Sequence, residues 1–113
     1  MEIWHNPRCS KSRQTLSLLR EQGYEPEIVE YLKQPPSPAR LQEVLTMLGL
    51  SAGDLIRKKD PQYKELDLRN FAGSEQQLIE LMCEHPKLIE RPIVIHQQQA
   101  RLGRPPEQVQ EIL

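Results

Sequence analysis

Cysteine is scarce in this chain. Of its 113 residues only Cys9 and Cys83 are cysteines. Two thiols so far apart in a small chain do not make a disulfide framework, and they point to a reducing, cytoplasmic setting. Excess positive charge is also missing: 15 Lys and Arg stand against 16 Asp and Glu, for a formal net charge of −1. That balance provides no broad basic field, so nucleic acid is not an expected partner, and any anion site must come from a few local arginines. Apolar runs are short, and Ile93-Val94-Ile95 is far below the length that crosses a bilayer, so no membrane partner is expected. Met1-Glu2-Ile3-Trp4-His5 has neither a basic opening nor a long apolar stretch, so no signal peptide is expected. Internal repeats are absent, and no linker is long enough to split domains. The length suits one domain, residues 1–113, with a modest core.

What the sequence does have begins at position 5. His5-Asn6-Pro7-Arg8-Cys9-Ser10-Lys11-Ser12-Arg13 follows a β-type opening, and a helical pattern follows it. Cys9 is thereby predicted at the first turn of a helix, where free backbone N–H groups and the helix dipole favour negative charge. Thiolate is the nucleophilic form of cysteine, and a helix N-terminus with nearby cations lowers the thiol pKa. Arg8, Lys11 and Arg13 are the expected cations. The same setting binds an external oxyanion.

Two other thiol chemistries are excluded by spacing. A C-x-x-C pair needs cysteine at position 12, where Ser12 stands. A C-x5-R phosphate loop needs arginine at position 15, where Thr15 stands. Turnover at Cys9 therefore calls for an external thiol.

The rest of the chain orders as follows. Met1–Trp4 reads as a strand, Ser10–Gln22 as a helix stopped by Gly23, and Glu27–Tyr31 as a second strand, giving a β-α-β opening with a parallel pair. Ser37 caps a helix with Pro38 at its first position and an apolar stripe of Leu41, Val44, Leu45 and Leu48. Ser51-x-x-Asp54 resembles a capping box for a short helix through Ile56 and Arg57, and Asp60–Gly73 reads mostly as loop. Ser74-x-x-Gln77 opens a further helix with Leu78, Ile79, Met82 and Cys83 on its apolar face, ended by His85-Pro86. Pro92–Ile95 and Ala100–Leu102 form a hairpin about a turn at His96–Gln99, and Glu107–Leu113 closes with a helix. The expected class is α/β: a mixed four-stranded sheet with a helical insertion, approximately residues 35–88, between β-α-β and β-β-α halves. That order is compatible with a thioredoxin-like core.

Other residues carry weaker signals. Cys83 shares a helical face with Ile79, and core packing explains it better than a resolving role. Cys9, His5, Cys83 and His85 lack zinc-ligand spacing, so no metal is expected. His5 either hydrogen-bonds a residue of the loop, helps hold the thiolate electrostatically, or bonds backbone at a strand end. Arg57, Arg91 and Arg104 all sit at element boundaries, where guanidinium groups can pair with tetrahedral oxyanions or simply face solvent.

Four segments taken together are more specific. The His5–Arg13 segment, Leu55-Ile56-Arg57-Lys58-Lys59, Glu90-Arg91-Pro92-Ile93-Val94 and Arg101-Leu102-Gly103-Arg104-Pro105-Pro106-Glu107 resemble the glutaredoxin-linked arsenate reductase (ArsC) family, most of all its short YfgD-type members. The resemblance implies a thioredoxin-like fold and reduction of arsenate to arsenite, with glutathione as co-substrate, glutaredoxin as partner and no bound cofactor. It places the nucleophile on Cys9, thiolate-assisting roles on His5 and Ser12, and oxyanion binding on Arg57, Arg91 and Arg104. Pro92 falls on the position of a cis proline. A monomer is expected. Two alternatives stand beside this reading. One is an Spx-like regulator that binds RNA polymerase, although its C-x-x-C sensor is lost at Ser12. The other is a glutathione-dependent oxidoreductase with a different substrate.

Overall fold

The computed structural model describes all 113 residues, and the chain divides into two compact units, Met1–Gln34 with Arg91–Leu113, and Pro35–Glu90. In the first unit, β1 (Glu2–Trp4), α1 (Ser10–Glu21) and β2 (Glu27–Val29) make the predicted β-α-β opening. Two further strands, β3 (Ile93–His96) and β4 (Gln99–Leu102), complete a sheet of order β2-β1-β3-β4. β1 runs parallel to β2 and antiparallel to β3, and β3 is antiparallel to β4, so the sheet is mixed as expected. The last element is a 3-10 segment, Pro106–Ile112.

Alternation on the strands sets which side chains are inside. Ile3 and Val94 are cross-strand partners, and both join Leu16 and Leu19 of α1 and Val109 and Ile112 of the C-terminal segment in one core. Burying a side chain of this size contributes about 1.5–3 kcal/mol. α1 itself starts at Cys9, an N-cap with extended backbone, and ends before Gly23, whose φ of +88° is open to glycine without strain.

Several boundaries differ from expectation. β2 stops at Val29, and Tyr31 lies in a turn with its ring fully buried. The hairpin turn is tighter than His96–Gln99: those two residues pair, and only Gln97 and Gln98 turn, with φ of 51° and 63°. Positive φ at both central residues suits the right-handed twist of the flanking strands. The C-terminal element is a 3-10 rather than an α-helix.

The second unit is helical. α2 (Pro38–Leu48) is capped by Ser37, whose side chain accepts from the Arg40 amide, and it packs against α5 (Glu75–Glu84). Leu41, Val44, Leu45, Ile79 and Met82 are the buried residues of that pair. Between them lies α3 (Ala52–Leu55), where the Asp54 carboxylate accepts from the Ser51 amide and hydroxyl. This helix ends at Leu55 rather than running through Arg57, because Ile56 turns extended and bridges Ile89.

The expected loop at Asp60–Gly73 is instead largely ordered. Asp60 caps α4 (Pro61–Glu65) by accepting from the Gln62 amide at 2.9 Å, and a 3-10 turn covers Leu68–Asn70. Aspartate followed by proline is a strong helix start, and it was overlooked because no apolar stripe follows it.

Candidate active site

Asn6 and Pro7 begin the turn that carries Cys9. The Asn6 carbonyl accepts from the Cys9 amide at 3.0 Å, and its side-chain oxygen accepts from the Arg8 amide at 3.0 Å. Asparagine bonding the backbone two residues on, with proline next, is a standard turn device. The Asn6 amide in turn donates to Ser12 Oγ at 3.0 Å. A single buried asparagine thus ties both ends of the loop, and sequence reasoning missed it although the Asn-Pro step was a visible turn signal.

The Cys9 sulfur is half-buried at the helix N-cap. Burial pushes its pKa up. The Ser12 amide, the Arg91 guanidinium through a hydrogen bond and its charge, and the Lys11 amide together outweigh burial and hold the thiol below its ordinary value. No acidic residue occupies the first turn of α1 to oppose them. Arg104 approaches from the far end of the chain, its Nη2 at 3.6 Å from Sγ, while its Nε donates to the Arg91 carbonyl at 2.7 Å. That carbonyl bond fixes one arginine on the other.

These partners correct one expectation. The cations at the sulfur are Arg91 and Arg104, not Arg8, Lys11 and Arg13. Arg8 is exposed, Arg13 Nη1 donates to the Pro7 carbonyl at 2.9 Å, and Lys11 acts through its backbone amide.

His5 is buried, and its Nδ1 lies 2.7 Å from Ser12 Oγ. Burial is the largest influence on its pKa and lowers it; Arg20 and Arg13 also lower it, against Glu30, which raises it. The ring is therefore neutral at pH 7, so His5 acts on the loop by hydrogen bonding and not as a cation. It orients the Ser12 hydroxyl, which stands on the residue whose amide favours the thiolate.

Two close contacts shape the floor. Gly103 donates its amide to the Pro92 carbonyl at 2.8 Å, and a Cβ there would lie 2.5 Å from Thr15 Oγ1 and 2.8 Å from Pro92 Cγ. Only glycine fits. The Arg91-Pro92 and Arg104-Pro105 peptide bonds are both cis.

Among the sequence candidates, Cys9, His5, Ser12, Arg91 and Arg104 come together in the first unit. Arg57 belongs to the second. There its amide donates to the Leu88 carbonyl at 2.7 Å, the Glu90 amide donates to the Leu55 carbonyl at 3.0 Å, and its Nη1 lies 3.5 Å from Glu90 Oε2. The Nε atoms of Arg57 and Arg91 share one property: both are buried without a hydrogen-bond partner in the protein. A buried donor left unmade costs about 1–3 kcal/mol. Such atoms are poised for an acceptor that is not part of the chain. Cys83 differs from Cys9 in every respect, since burial, with Glu80 and Glu84, pushes its thiol up to about 11.

Comparison with known proteins gives the family. The model of the ArsC family matches residues 4–112. The uncharacterized protein YfgD of Escherichia coli (strain K12) is 54% identical over 114 aligned positions, covering 100% of this chain and 96% of its own. An arsenate reductase of Neisseria meningitidis serogroup A is 46% identical, covering 100% and 97%. The structure of an arsenate reductase from Vibrio cholerae superposes with a TM-score of 0.96 at 51% identity, covering 99% of this chain and 96% of that one. The sheet order, the inserted helices and the likeness to that structure identify the fold as thioredoxin-like. Matched by the family model over residues 4–112 and by relatives across its whole length, this chain belongs to the ArsC family.

Proposed function

We propose that this protein reduces arsenate to arsenite, with glutathione and glutaredoxin as the source of electrons. The observation that carries the reading is a thiol held below its ordinary pKa beside two arginines, one of which keeps a buried, unpaired N–H. Relatives of similar length that bear the name arsenate reductase support it.

In this scheme Arg91 and Arg104 bind the oxyanion, and Arg57 contributes the third guanidinium that the family resemblance assigns. The Cys9 thiolate attacks arsenic, and one arsenate oxygen leaves as water after protonation, giving a cysteinyl arsenate. Glutathione thiolate then attacks arsenic, and a second oxygen leaves as water. A glutaredoxin thiolate attacks the glutathione sulfur. The electron pair of the arsenic–sulfur bond stays on arsenic, which passes from As(V) to As(III), while glutaredoxin and glutathione leave as a mixed disulfide. Water then displaces Cys9 and frees arsenite. Cys83 takes no part, because a thiol with so high a pKa stays protonated at neutral pH.

The test compares Cys9→Ser with Cys83→Ser in arsenate reduction supplied with glutathione and glutaredoxin. Activity is expected to vanish in the first and persist in the second. Arsenate binding should weaken about tenfold or more in Arg57→Ala, Arg91→Ala and Arg104→Ala, the loss expected for one charge-assisted bond, and should be unchanged in Arg69→Ala. Retained activity in Cys9→Ser, or equal binding by Arg91→Ala and Arg69→Ala, would refute the scheme.

A further inference from the structure

The outer face of α1 is not covered by the core. Ser10, Arg13, Gln14, Ser17 and Glu21 are all exposed, and their spacing puts them in one stripe along the helix. Together with Glu107 they wall a groove of about 550 Å³, floored by Leu18 and Pro106. Its lining adjoins the reactive site along the chain. Ser10 follows Cys9 directly, and Pro106 lies two residues after Arg104, whose Nη2 is 3.6 Å from Sγ.

Charge along the groove is ordered. Arg13 stands one turn from the Cys9 end. Its Nη1 is on the Pro7 carbonyl, which leaves Nε and Nη2 for a bidentate carboxylate. Glu21 lies eight positions further, roughly 12 Å along a helix rising 1.5 Å per residue. Glu107 adds a second carboxylate on the opposite wall. A small oxyanion does not suit a groove with two carboxylates. A ligand bearing both a carboxylate and an ammonium does. An extended tripeptide spans roughly 10 Å, close to the separation of these charges.

We propose that this groove binds the free peptide thiol that acts on Cys9. Arg13 takes a carboxylate, Glu21 and Glu107 take the ammonium, and the thiol lies towards the sulfur end. The inference rests on the thiol-dependent reading above, and it adds the place where the thiol is recognised. Serine and glutamine side chains along the wall supply hydrogen bonds to the peptide amides.

S-methylglutathione tests it, since it carries the charges of glutathione and cannot react. Titrated into the full chain, it is expected to shift the amide NMR signals of the Ser10–Glu21 face and Glu107. Its affinity, read by calorimetry, should fall about tenfold or more in Arg13→Glu and in the groove-filling Ser17→Trp, and stay unchanged in Arg69→Ala. Circular dichroism establishes that the variants are folded, and Ser17→Trp carries the test if Arg13→Glu is not. The proposal is overturned if about 10 mM peptide leaves those amides unshifted, or if both variants bind as well as the parent. The two readings separate cleanly. Binding in the groove without arsenate reduction refutes the reductase and leaves the groove standing. Reduction with a KM for glutathione unmoved by Ser17→Trp and Arg13→Glu refutes the groove alone.

Discussion

Removing the Arg91 guanidinium should disarm Cys9 in a way that a pH profile can separate from simple damage. Arg91 favours the thiolate by a hydrogen bond and by its charge, against burial, which favours the neutral thiol. In Arg91→Ala the Ser12 and Lys11 amides and Arg104 are left to oppose burial, so the thiol pKa rises. A charge-assisted hydrogen bond contributes about 1.5–3 kcal/mol, and the half-exposed sulfur puts this one at the lower end. About 1.4 kcal/mol is one pKa unit, so the thiolate fraction on the acid side falls about tenfold. A more basic thiolate is also a better nucleophile, with a Brønsted slope of about 0.4–0.5, which restores about threefold. The net expectation is exchange with a small aromatic disulfide about threefold slower below the midpoint and about threefold faster on the alkaline plateau. Following the exchange across both limbs, in a Cys83→Ser background, shows the crossing. Arg104→Ala should move the midpoint less, since Arg91 is the side chain that does most to lower the thiol pKa. Superimposable profiles for Arg91→Ala and the parent, or a midpoint displaced to lower pH, would refute the electrostatic account.

Three further expectations follow from the packing. His5 has a lowered pKa in the fold, so below its ordinary value of 6.5 the unfolded state binds the extra proton; stability is then lost as pH falls through that region, and denaturant titrations should show a shallower acid loss in His5→Gln. Gly103→Ala forces a Cβ against Thr15 Oγ1 and Pro92 Cγ and should cost about 1–3 kcal/mol in urea unfolding, with part of the loss recovered in Gly103→Ala/Thr15→Ala. Full recovery, or no loss, would contradict the close approach. Asp60→Ala removes the cap from α4 and should lower stability by about 1 kcal/mol, seen as a fall of a few degrees in Tm, while Asp60→Asn, which keeps a capping oxygen, should not.

Legibility in the sequence followed the range of the signal. The elements marked by local chemistry were readable: the Ser37-Pro38 and Ser74-x-x-Gln77 starts, the Gly23 stop, and the apolar stripes of α2 and α5. The exposed helix α4 was not, because it has no buried residue to create a periodic pattern. In the site, Cys9 at a helix start followed from neighbours in sequence. The cations around it did not. Nearness along the chain favoured Arg8, Lys11 and Arg13, whereas folding brings Arg91 and Arg104 to the sulfur from more than eighty positions away. Their place at element boundaries marked them as candidate anion ligands, and the family resemblance alone tied them to Cys9. The His5–Ser12 bond and the Asn6 clamp depend on side-chain directions that spacing does not reveal.

That long reach has a consequence for the chain during its synthesis. Synthesis runs from the N-terminal side, so Cys9 emerges well before the partner that touches its sulfur, which lies 95 positions later. Domains assemble from the N-terminus as the chain emerges. Until Arg91 and Arg104 have emerged and the sheet has formed, Cys9 has neither arginine beside it, and its thiol has the modest reactivity of any unstructured cysteine. Formation of the sheet that carries the two arginines is thus the step that arms the nucleophile, and a nascent chain that stops short of Arg91 holds Cys9 as an ordinary thiol.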